Sequence, residues 1–170
     1  MKLTQLLTQK KSAIFERWLD MIFSTYPPET SAFLKKEKDR FNNPMAYRIY
    51  EGAKGLVNGL VLGATAEEVS GYLDEIIRIK AMQDVAPSQA LAFIFFLKTA
   101  VREELHPEIQ SDAALSAEVV ELESQIDGIA LLGFDVYQKR REKLCEIRVD
   151  EVKRSVSGLL RKAGVNLNNL

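Results

Sequence analysis

Apolar residues recur along the 170-residue chain at steps of three and four, and the stretches between Pro27, Pro28, Pro44, Pro87 and Pro107 lack the two-residue alternation of strands. The pattern predicts an all-α protein of about six helices. A first helix over roughly 3–25 carries Ile14, Trp18, Met21 and Ile22 on one face, and "TYPPET" stops it because Pro28 bars Pro27 from the α region. A short helix over about 30–38, ending at Lys38, carries Phe33 and Leu34. Asn43 is placed to cap and Pro44 to open a third helix, which Gly63 ends after Leu62. Thr65 and Glu68 form the capping box of a fourth, with Val69, Leu73, Ile76, Ile77 and Met82 as its apolar face. Pro87 opens a fifth, which ends around "EELHPE".

The last helical pattern runs from about Ala113 to Ala163 with no proline inside, well beyond the usual helix of about 10–14 residues. Its composition changes along the way. "IDGIALLGFDVY" (126–137) is apolar on nearly every side, which predicts a helix buried among others. "QKRREK" (138–143) is wholly polar and reads as the point where the helix leaves the globule. Beyond it Cys145, Val149, Val152, Val156, Leu159 and Ala163 alternate at steps of four and three, the stripe by which one helix seams against another. The expected organisation is a helical core over 1–138, an extended dimer or transmission helix over 139–164, and a tail over 165–170.

Composition keeps this picture ordinary: 46% apolar and 28% charged residues suit one soluble domain, and a net charge of -1 gives no general attraction to nucleic acid. The longest apolar run, "ALAFIFFL", is far shorter than the roughly 20 residues that span a bilayer, so no membrane insertion is expected. One cysteine excludes an internal disulfide framework, and the polar start "MKLTQLLTQKK" lacks a secretory apolar run. A cytoplasmic protein is the expectation.

Candidate chemistry is sparse. The single histidine, His106, stands at a helix end beside Pro107, so Glu103 and His106 lack the second Glu-x-x-His step of a di-iron bundle, and a proximal haem ligand is not expected there. No catalytic residue, metal site or cofactor is assigned. Cys145, flanked by Lys143 and Arg148, reads as a small seam residue rather than a redox centre. Gly52, Gly55 and Gly59 lack the Gly-Lys-Ser/Thr ending of a phosphate loop, and mark a bare helix face for close packing by a neighbour. Tyr47, Arg48, Arg78, Gln83, Ser88 and Gln89 border apolar helices and are the candidates for contact with a small polar or anionic ligand. Residues 139–162 hold nine basic against four acidic side chains, a face that suits an acidic partner.

The segments "FERWLDMIFSTYPPETSAFLKKEKDRFNNP", "IIRIKAMQDVAPSQALAFIFFLKTAVREEL" and "DVYQKRREKLCEIRVDEVKR" together resemble the RsbRD N-terminal domain family over nearly the whole chain. These are sensory modules at the front of stressosome co-antagonists of the RsbR type. The resemblance implies a globin-like, haem-free input domain that dimerises and passes a signal along its last helix. Those co-antagonists continue into a STAS domain, whereas the 170 residues end at "NLNNL", so a separately encoded STAS-domain or kinase partner is expected. The function expected is therefore a non-enzymatic sensory module acting through helix repacking in a homodimer. The alternative is a ligand-free adaptor that docks through its basic C-terminal helix.

Overall fold

The computed structural model describes residues 3–36, 39–83 and 85–164. The tail expected over 165–170 and the Lys38 end of the second predicted helix lie outside these. The described residues form seven helices and no strand: α1 (Leu3–Phe23), α2 (Pro28–Lys36), α3 (Pro44–Leu62), α4 (Ala66–Met82), α5 (Pro87–Glu104), α6 (His106–Ser111) and α7 (Ala113–Lys162). Their starts are set by local chemistry. Asn43 Oδ1 accepts from the Ala46 amide at 3.1 Å, and Thr65 and Glu68 close a reciprocal capping box. Asp112 caps α7 by accepting from the Ala114 and Leu115 amides.

The core lies where α1, α3, α4, α5 and the first half of α7 meet, with Trp18, Phe23, Leu34, Ile76, Ile77, Phe93 and Leu97 sealed from solvent. The Trp18 indole donates to the Phe93 carbonyl at 2.6 Å, so its one polar atom is satisfied inside the core. Ion pairs lace the outer faces: Arg102 with Glu123 and Lys98 with Asp127 tie α5 to α7, and Arg17 with Glu103 and Glu104 ties α1 to α5.

Three expectations need correction, and α2 adds a detail. The seventh helix is the short α6, because Pro107 opens a new turn instead of closing the old one. In α2 Leu34 enters the core whereas Phe33 faces out. Met82, expected on the apolar face of α4, is 60% exposed, since at ~100° per residue it falls opposite Leu73, Ile76 and Ile77. The 126–137 stretch is buried on one face only: Ile126, Ala130, Gly133, Val136 and Tyr137 pack inward, whereas Leu131 is 74% exposed and Phe134 stands beside it in solvent. Helices α4 and α5 cover α7 from one side, and nothing in the described chain covers the other.

The bare face of α3 lies against α4. A Cβ at Gly52 would come 2.7 Å from the Tyr72 carbonyl oxygen, and one at Gly55 would overlap the Tyr72 ring. At Gly59 the neighbour is Ala64, in the connection after α3. Because a backbone carbonyl has no rotamer to yield, Gly52→Ala should destabilise the fold by about 1–2 kcal/mol even though alanine is the better helix former. Gly128→Ala, where a Cβ meets open space, should instead stabilise by about 0.5–1 kcal/mol. Urea unfolding of the two variants measures both, and an opposite sign at Gly52 would refute the close packing.

Candidate functional site

Two clefts and one helix face hold the candidate residues. The first cleft, of about 570 Å³, is walled by the turn after α1 (Thr25, Tyr26, Pro27), by Met45 of α3, by Lys80 of α4, by Gln83 and Val85 after it, and by Gln89 and Ala92 of α5. Lys80 is only 6% exposed and is the one charged residue buried to that degree among the described residues. It sits four residues after Ile76 and seven after Leu73, in the middle of the apolar stripe of α4. Its ammonium donates to Thr25 Oγ1 at 3.3 Å and lies 4.0 Å from the centre of the Tyr26 ring. No carboxylate pairs with it among the described residues. Burial without a counter-charge pushes the Lys80 ammonium down to about 8. Desolvation likewise pushes the Tyr26 phenol up to about 12 against a smaller opposing effect of the Gln83 side chain, which lies beside the phenol oxygen without a hydrogen bond of normal geometry.

The second cleft, of about 640 Å³, lies between α3 and α4 and is lined by Arg40, Tyr47, Arg48, Glu51, Glu68, Tyr72 and Glu75 among others. Arg48 is already paired with Glu75 at 2.7 Å, and the other carboxylates make the site acidic.

The six ligand-contact candidates therefore do not converge on one place. Tyr47 and Arg48 line the second cleft, and Gln83 and Gln89 line the first. Ser88 is exposed in the first turn of α5, and Arg78 lies on the far face of α4, 3.8 Å from Asp74. Lys80, Thr25 and Tyr26 escaped the sequence reading. A lysine in phase with Leu73 and Ile76 was the available signal for the first of them; the other two are brought in by tertiary packing alone. His106 is exposed at the start of α6, beside Gln110, and no group of residues able to hold a metal is found among those described.

The exit of α7 is bonded to the wall of the first cleft. Tyr137 Oη donates to the Val85 carbonyl at 3.2 Å, and Arg141 Nη1 donates to the Ala81 carbonyl at 3.2 Å. Between them Arg140 forms a two-pronged ion pair with Asp74 of α4. Leu144 is the last apolar residue packed on the core, and every residue over 145–156 is exposed. Val152 is 62% and Leu159 68% exposed, and Cys145, Val149 and Val156 are exposed with them. At ~100° per residue Leu131, Phe134, Cys145, Val149, Val152, Val156 and Leu159 fall within about 80° of one another. An apolar patch on the globule thus shares its face with the stripe of the extension, across the polar stretch 138–143. None of the helices in the described residues is long and apolar enough to cross a membrane.

Fold and clefts together make a helical domain in which an open cleft shares its wall with the root of a long projecting helix. The family model described as the RsbT co-antagonist protein rsbRD N-terminal domain matches residues 12–152, and the chain belongs to that family of signalling input domains. No significant match was found among curated proteins or among solved structures.

Proposed function

We propose that the protein is a non-enzymatic sensory input domain that works as a homodimer, with α7 as both dimer seam and transmission element. The observation that carries this reading is the pair of exposed apolar patches on one face of α7, Leu131 with Phe134 and then Cys145 to Leu159, separated by the polar stretch 138–143. Apolar side chains at heptad spacing that find no cover in their own chain are stabilised by a second helix of the same kind. A globin-like arrangement and the absence of haem are part of the same reading, as the family implies. The signal is a shift between two packings of α7 on α4, biased by whatever binds them unequally. The bonds from Tyr137, Arg140 and Arg141 to α4 and its following turn support α4 as the lever. A STAS domain or a kinase is the class of output element the family suggests.

Hydrogen exchange at the amides of 145–160 tests the seam. The dimer predicts protection that rises with protein concentration and then levels off. Exchange that stays fast at every concentration would favour the adaptor reading, in which the basic face of α7 waits for an acidic partner.

A further inference from the structure

The first cleft has a chemistry that the fold alone does not require. A buried ammonium without a counter-ion is costly, and replacing it by an apolar side chain would ordinarily stabilise a core. Here a charge with no carboxylate partner among the described residues stands at the wall of an open cleft, next to the buried Tyr26 hydroxyl. Thr25, Thr30, Gln83 and Gln89 add neutral polar groups, while Pro27, Met45, Val85 and Ala92 make the remaining wall apolar. The volume, about 570 Å³, falls within the range of small-molecule sites.

We propose that this cleft binds a small monocarboxylate with an apolar body, its carboxylate paired with Lys80 Nζ and its tail against Met45, Val85 and Ala92. Among the described wall residues Lys80 is the one charged group, which matches one negative charge, so an inorganic phosphate dianion would be left half compensated and its outer oxygens would face apolar atoms. The Tyr26 hydroxyl, which lines the same cleft beside Gln83, supplies a donor for the same anion. The depressed pKa of Lys80 agrees with a site whose counter-charge arrives with the ligand. Occupancy acts on Val85 and on the segment after Lys80, the backbone to which Tyr137 and Arg141 bond at the root of α7. Only this consequence rests on the input-domain reading; the site itself does not.

The test uses the full chain at pH 7 and constant ionic strength, titrated by calorimetry with acetate, butyrate, hexanoate, benzoate and inorganic phosphate. Saturable binding of hexanoate or benzoate, tighter than acetate, is expected, weakened about tenfold or more in Lys80→Met and by a smaller factor in Tyr26→Phe. Lys80→Met removes a buried charge and should fold, which circular dichroism checks. No saturable binding by any carboxylate, equal binding by folded Lys80→Met, or binding of phosphate in preference to carboxylates would each overturn the proposal. Hydrogen exchange over 138–160 in the same titration separates the two readings. Lys80-dependent binding that leaves this exchange unchanged would sustain the site and overturn its coupling to α7.

Discussion

Val152→Asp combined with Leu159→Asp is expected to convert the dimer into a monomer while leaving the helical core folded. Both side chains are exposed in the single chain, so neither substitution removes a contact from the core and thermal unfolding of the monomer should change little. In a symmetric seam each change occurs twice, so four apolar side chains are lost. At about 1.5–3 kcal/mol for burying each, the loss reaches on the order of 6 kcal/mol before the cost of desolvating carboxylates, enough to weaken association more than a thousandfold. Light scattering of the pair variant beside the parent protein measures this. An unchanged oligomer would remove α7 from the interface, and a variant that unfolds would show that the extension packs on its own core.

The second large effect concerns stability. Lys80→Met should raise the unfolding free energy at pH 7 by about 1–2 kcal/mol, the gain from losing a buried ammonium less the lost Thr25 and Tyr26 contacts and the partial hydration the open cleft allows. The pH profile gives the signature. The Lys80 pKa falls from its ordinary 10.5 in the unfolded chain to about 8 in the folded one. Below about 8 both states hold the proton and the penalty is full. Between about 8 and 10.5 the unfolded chain binds more protons than the folded one, so the stability of the parent rises with pH toward that of the variant. Above about 10 the phenol of Tyr26, held up near 12 by burial, reverses the slope in both proteins, because the unfolded chain then loses that proton first. Urea unfolding across pH 7–11 should therefore show the two curves converging near pH 10. Parallel curves would mean that Lys80 is not desolvated.

What could be read from the sequence was what is decided within one turn of helix. Asn43 with Pro44 and Thr65 with Glu68 act on amides three residues away, so their pattern suffices to place the starts of α3 and α4. The short α6 was missed because Pro107 fits both a helix end and a helix beginning. The exposed Leu131 and Phe134 were missed for another reason: nothing in "IDGIALLGFDVY" says which side α4 and α5 will cover. The cleft was the least legible. Its wall joins residues from α2, α3, α4 and α5 and from the turns after α1 and α4, and the candidates chosen for polarity alone divided between two clefts and the open surface. Lys80 was in view as a charge out of place in an apolar stripe, yet its meaning depends on Tyr26 and Thr25, more than fifty residues earlier in the chain.

The central claim is that α7 finds its cover in a second copy of the chain. Sedimentation equilibrium of the unaltered 170-residue protein from about 1 to 100 μM tests it most directly. A mass rising to twice that of the chain and levelling there is expected; a single-chain mass throughout the range would show that no second copy covers α7.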